Sequence, residues 1–170
     1  MHKNFSNIKR GLVIADTGPI ISLAVIKKLE LLDALFGEVL IPFAVWEELQ
    51  QSIKTPEFHI IEKYFKTKVR KINSINNLTF IMDYGESESV ILYKELNARF
   101  LLIDDKKARK IAENFQVECI GTIGILIAGK KSGQIKKLKP NFVTLLKNKR
   151  YFSKSLLNRI LADNHEGSLK

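Results

Sequence analysis

The chain carries one cysteine, Cys119, so no internal disulfide can form. That residue lies in the apolar stretch VECIGT and reads as a small buried hydrophobe rather than a nucleophile. A lone thiol suits a reducing cytoplasm, where this protein is expected. Long hydrophobic runs are also missing. The longest, residues 120–129, falls far short of the ~20 residues that a membrane helix needs, so no membrane span is expected. The first ten residues are polar and basic, with no apolar stretch or cleavage pattern behind them, which predicts no signal peptide. Internal repeats, long linkers and low-complexity segments are absent. The 170 residues, 45% of them hydrophobic, therefore fit one domain over 11–166 behind a basic N-terminal extension, 1–10. Acid is scarce as well: 18 Asp and Glu stand against 28 Lys and Arg, a formal charge of +10. Charge speaks about partners rather than fold. Nucleic acid is the first candidate, an acidic protein the second and an anionic membrane surface a distant third. The plain alternative is a lysine-rich solubilising surface.

What is present is alternation. Short apolar strands are expected at 11–16 (GLVIAD), 38–41 (EVLI), 99–103 (RFLLI) and 116–120 (QVECI), with a further one at KVRKI. Helices fall between them: from Pro19, over LELLDALF with Gly37 as its stop, from Pro42 through FAVWEELQQSI, over 57–65 and 86–97, over DKKARKIAENF, and over TIGILIAGKK to Gly133. The tail, 134–166, reads as helical with breaks at Pro140 and at 151–153. Strands alternating with helices imply an α/β fold whose mainly parallel sheet is covered on both faces.

Four acidic signals stand where strands meet helices or on inner helix faces: Asp16, Glu48, Glu86 and the pair Asp104 and Asp105. Parallel α/β folds gather the carboxyl ends of their strands at one sheet edge. Carboxylates collected there repel one another unless a cation sits among them, and carboxylate and water oxygens suit Mg²⁺ or Mn²⁺. In a basic protein this combination points to phosphodiester hydrolysis. Asp16 ends a strand, and Thr17 and Ser22 offer hydroxyls to orient its carboxylate or a water; the competing role is a helix cap. Glu48 lies beside the stripe Val45, Leu49, Ile53 and can point inward, the competing reading being a solvated glutamate at the stripe's margin, while Glu47 faces solvent. Glu86 occupies a first helical turn, where an anion is favoured; Glu88 is the less favoured alternative. Two adjacent aspartates on extended chain point apart, so one of Asp104 and Asp105 faces the cleft and the other caps or supports.

Two motifs are decoys. Asp16-Thr17-Gly18 matches the aspartic-protease triplet, but that chemistry needs two such carboxylates on an all-β scaffold. Residues 124–131 approximate a phosphate-binding loop, yet Lys131 stands where Ser or Thr is required and the intervening residues are apolar and helical. With no credible glycine-rich loop, a nucleotide-binding regulator is disfavoured.

In order along the chain, the segments DTGPIISLA (16–24), IPFAVWEEL (41–49), GESESVILYKE (85–95), LLIDDKKARKIA (101–112) and ECIGTIGILIAGKKSGQI (118–135) resemble those of the PIN-domain nucleases. Within that family they are similar to the bacterial and archaeal branch related to the VapC-type toxins of toxin–antitoxin pairs, as is the tail RYFSKSLLNRIL. The resemblance covers nearly all of 11–166. It implies a three-layer α/β/α sandwich and a Mg²⁺- or Mn²⁺-dependent endoribonuclease whose acidic positions fall on Asp16, Glu48, Glu86 and Asp104/Asp105. Two departures are visible: Glu86 stands where many relatives carry Asp, and the last acidic position is a pair. The resemblance further implies that Thr122 helps line the site, that a cognate antitoxin exists and that the protein is a homodimer. In this reading Asp16, Glu86 and Asp104/Asp105 hold the metal, Glu48 completes the ring, and Lys106, Lys107, Arg109 and Lys110 hold RNA phosphates. The competing class is an inactive PIN-like module that binds RNA or an acidic protein.

Overall fold

Five parallel strands in the order β3-β2-β1-β4-β5 form the centre of the molecule, seen in a computed structural model that describes residues 11–169. The basic extension expected at 1–10 lies outside the described residues. The strands are short: β1 (Leu12–Ala15), β2 (Glu38–Pro42), β3 (Val69–Arg70), β4 (Phe100–Leu102) and β5 (Cys119–Ile120). β1 pairs with β2 on one side and with β4 on the other, in parallel throughout.

The interleaved helices are α1 (Thr17–Val25), α2 (Glu30–Leu35), α3 (Phe43–Gln50), α4 (Phe58–Phe65), α5 (Tyr84–Glu95), α6 (Lys106–Asn114) and α7 (Thr122–Lys131). The tail adds α8 (Lys139–Lys147) and α9 (Lys154–Asp163). Side chains alternate along each strand, which splits the core in two. Val13, Ala15, Val39, Ile41, Leu102 and Ile120 face one cluster that takes in residues of α1, α2, α7, α8 and α9. Ile14, Leu40, Leu101, Ile103 and Cys119 face the other, closed by Val90 and Leu92 of α5 and by Ala108 and Ala112 of α6. The result is a three-layer α/β/α sandwich, its parallel sheet covered on both faces as the alternation of strands and helices implied.

The sheet reads outward from β1 in both directions, so the chain's winding reverses between β1 and β4. A crevice opens outside the carboxyl ends of the strands at such a reversal. Asp16 follows β1 and Asp104 follows β4 within two residues, so both stand at this crevice. The ladder continues past the strand ends: the Asp16 amide donates to the Leu102 carbonyl at 2.9 Å.

Several boundaries differ from the sequence reading. Pro140 does not break the tail; it sits in the first turn of α8, where its missing N–H costs no helical bond. The breaks are at 132–138 and 148–153. Ile53 is exposed and lies beyond the end of α3, so the buried face of that helix is Ala44, Val45 and Leu49. α5 starts at Tyr84 rather than at 86, because Asp83 caps it. Gly37 is no left-handed stop: α2 ends as the chain turns extended at Phe36. Gly133 does adopt a positive φ, +78°, just past α7. Residues 124–129 lie inside α7, so the approximate phosphate-loop motif is a helix.

Candidate functional site

The strand–helix junction after β1 builds the centre of the site. Asp16 is the N-cap of α1, its carboxylate accepting from the Gly18 amide at a long 3.5 Å. Capping and a buried acidic role therefore coincide in one side chain, which is 7% exposed. Burial pushes its pKa up to about 7, and the neighbouring Glu48 and Glu86 carboxylates push it further in that direction. Glu86 is likewise raised to about 7, by partial burial first, then by Asp83, Asp105 and Glu48. Asp16, Glu48, Glu86 and Asp105 thus share one electrostatic neighbourhood, although they come from four different helix starts or helices.

Each has a local tether. Thr17 Oγ1 donates to Glu48 Oε2 at 2.5 Å, so this hydroxyl orients Glu48 rather than Asp16. Gly85 makes room for the same carboxylate: a Cβ there would lie 2.6 Å from Glu48 Oε1. Glu86 completes a capping box with Asp83, receiving the Asp83 amide at 3.4 Å while Asp83 receives the Glu86 amide at 2.9 Å. Asp105 caps α6 through Oδ1, which accepts from Ala108 N at 2.8 Å, and its side chain is on the exposed side of the junction.

The geometry separates the two adjacent aspartates. Asp104 accepts from the Thr122 amide at 2.7 Å, from Thr122 Oγ1 at 2.6 Å and from Ser22 Oγ at 3.4 Å. It ties the end of β4 to the N-terminus of α7, which has no cap from its own N-cap residue, Gly121. Arg150, from the segment between α8 and α9, closes this second network. Its Nε donates to Ser22 Oγ at 3.0 Å and its Nη2 to the Gly18 carbonyl at 3.0 Å. Thr122 and Ser22, both fully buried, serve Asp104.

These two environments predict different mutants. Asp105→Asn should keep the cap, since Asn caps as well as Asp, and so leave thermal stability near wild type. Asp104→Ala removes three bonds and exposes the α7 N-terminus; it should cost roughly 1–3 kcal/mol of stability. Chemical denaturation separates the two, and an Asp105→Asn that unfolds as readily as Asp104→Ala would show that both aspartates are structural.

Glu88 is buried for another reason. Its Oε2 accepts from Ala44 N at 3.0 Å, capping from α5 the first turn of α3, which has no side-chain cap from Pro42. This clamps the helix that carries Glu48. Of the basic candidates, Lys106, Lys107 and Lys110 are exposed on α6. Arg109 is turned inward instead, its Nη2 donating to the Ile103 carbonyl at 2.8 Å. Gly85, Asp83 and Arg150 are supporting residues that sequence reasoning did not place in the site, and Glu88, the less favoured alternative to Glu86, is a support as well.

Among the described residues, no three of His, Cys, Asp and Glu are arranged at metal-holding distance around one point. The donor chemistry nevertheless fits a hard divalent cation: all-oxygen ligands, one deeply buried, with two carboxyls driven up to about 7 by burial and mutual repulsion.

A family model described as a PIN domain matches residues 12–166. No curated protein matches the chain.

Proposed function

The chain belongs to the PIN-domain family, and from that premise we propose that it is a Mg²⁺- or Mn²⁺-dependent endoribonuclease. PIN domains are nuclease folds that typically use divalent metals. The observation that carries the reading is the buried Asp16 carboxylate, raised to about 7 beside Glu48 and Glu86, at the winding reversal of the sheet. Asp16, Glu48, Glu86 and Asp105 would hold the cation. When bound, it supplies Lewis-acid polarisation of a phosphoryl oxygen and a more acidic water. The chain's own part is positional. Thr17 fixes Glu48, the Asp83 box fixes Glu86, and the Ala108 amide fixes Asp105. Asp104, with Thr122, Ser22 and Arg150, holds β4, α1 and α7 in register beneath them.

The net charge of +10 supports RNA as the substrate. Lys106, Lys107 and Lys110 on α6 adjoin Asp105 and suit phosphate contacts, so binding should weaken steeply with salt. The role of a toxin neutralised by an acidic-site antitoxin, and a homodimeric state, follow from the resemblance to VapC-type proteins. No described helix is long and apolar enough to cross a membrane; a cytoplasmic setting is part of the proposal.

A second reading, an inactive module that binds RNA or an acidic protein, draws on the same net charge of +10. Incubating the purified protein with mixed RNA in Mg²⁺ or Mn²⁺, beside an EDTA control, discriminates them. Cleavage only with metal supports the nuclease; tight RNA binding with no cleavage under either metal supports the module.

A further inference from the structure

A cleft of about 860 Å³ opens between the segment before α5 and one side of α6. Glu86 and Asp105 form part of its wall, so it is continuous with the carboxylate site. The rest of the lining is of a different kind: Phe80, Ile81, Met82, Phe115, Asn114 and Lys107 among others. Phe80 is 91% exposed, and Ile81 and Phe115 are also exposed at 46% and 39%. Large apolar side chains grouped in the open beside a polar site mark a binding surface. We propose that this cleft is a nucleobase pocket, in which an unpaired base of single-stranded RNA stacks on Phe80 and Phe115. The inference rests on the ribonuclease reading and names the class of substrate.

Charge decides among the occupants. An acidic peptide carries its charges on the side chains that would enter this cleft among Asp83, Glu86 and Asp105, whereas RNA carries its charges on the backbone and would insert only an uncharged base. A basic peptide would be repelled by the chain as a whole. A nucleobase is flat, neutral and attached to a polyanion: its ring matches the phenyl faces while its backbone answers the net charge. Lys107 stands on the same wall for a flanking phosphate, and the Asn114 amide offers a donor and an acceptor to a base edge. Base–aromatic stacking needs bases that are splayed from a helix, so the pocket selects single strands over duplex.

The test uses an oligoribonucleotide carrying 2-aminopurine, with the full-length protein in EDTA so that no cleavage intervenes. Wild type should quench the probe as the base stacks. Phe80→Ala should abolish the quench and weaken single-strand binding about tenfold, in the range found for loss of one stacked base. Its binding of a duplex of the same sequence should not change. Because Phe80 is 91% exposed, this substitution removes no core contact. No quench by wild type, or equal affinity of wild type and Phe80→Ala for the single strand, overturns the pocket. So does a dimer that dissociates on Phe80→Ala in sedimentation while RNA affinity is unchanged, which would give the patch to a second copy of the chain. The two readings fail separately. Quenching without cleavage in Mg²⁺ or Mn²⁺ removes the nuclease and keeps the pocket. Cleavage with KM and cut sites unaltered in Phe80→Ala removes the pocket and keeps the nuclease.

Discussion

Replacing Asp16 by asparagine is expected to abolish metal-dependent RNA cleavage and, at the same time, to stabilise the metal-free protein near neutral pH. The loss follows from removing the most buried of the proposed ligands. A metal ion contributes several kcal/mol to a phosphoryl transition state, so the rate should fall on the order of 10³-fold or more. The gain follows from the electrostatics. Asp16 is raised from 3.8 to about 7 by burial and by Glu48 and Glu86. Below about pH 4 the group is protonated in both folded and unfolded chains and contributes no pH-dependent difference. Between about 4 and 7 the folded protein holds a proton that the unfolded chain has released, so stability drains away as pH rises. Above about 7 the full penalty is present. A shift of this size corresponds to roughly 4 kcal/mol at most. Asparagine carries no charge to bury and can still cap α1. Near pH 7.5 and without metal, Asp16→Asn should therefore melt higher than wild type by about 5–10 °C. Near pH 4 the difference should shrink toward zero. Glu86 shifts in the same direction and is coupled to Asp16, so its contribution is not added separately. Mg²⁺ or Mn²⁺ should raise the melting temperature of wild type near pH 7.5 and leave Asp16→Asn almost unmoved. A variant that melts lower than wild type at both pH values would show that Asp16 is a structural cap and no site of stored repulsion.

Gly85→Ala should show the complementary signature, activity lost with the fold intact. The new methyl would come within 2.6 Å of Glu48 Oε1 and 3.1 Å of Oε2. Those atoms are the far end of a flexible side chain, so the clash is relieved by swinging the carboxylate away, which breaks its bond to Thr17. The backbone needs no adjustment, since Gly85 has no positive φ, and alanine in a helix gains roughly 0.5–1 kcal/mol over glycine. Stability should thus change by less than about 1 kcal/mol, while cleavage falls about 10–100-fold, the usual cost of disturbing groups that orient a metal ligand. Thr17→Val, which removes the tether without adding bulk at residue 85, should produce a smaller loss in the same direction. Wild-type activity in Gly85→Ala would take Glu48 out of the site.

The parts legible in the sequence are those that depend on local pattern. An apolar strand ending in Asp16 announces both a strand end and a helix start, and the same holds for RFLLI before Asp104 and Asp105. The parts that were not legible depend on distant pieces of chain meeting. Nothing in FAVWEEL shows that its missing N-cap is supplied by Glu88, 44 residues later. Nothing near Ser22 announces Arg150, 128 residues away. Strand order is of the same kind: that β1 lies between β2 and β4, which creates the crevice, is set by pairing rather than by any one segment. Two differences are local. Proline stops helices from within, but at a first turn, where Pro140 stands, it starts them. Glycine punctuates, which sets the expected start of α5 after Gly85, but Asp83 and Glu86 form a capping box that runs across it. Spacing could not choose between Asp104 and Asp105 either, because the choice depends on Thr122 waiting at the end of the next strand.

Mn²⁺ titration of metal-stripped wild type and Asp16→Asn, with binding followed by electron paramagnetic resonance and single-stranded RNA cleavage read on the same samples, tests a metal-dependent nuclease centred on Asp16. Wild type should bind Mn²⁺ saturably with cleavage rising in step, and Asp16→Asn should do neither. Cleavage that appears without bound Mn²⁺, or equal binding and cleavage by both proteins, would remove Asp16 and its metal from the chemistry.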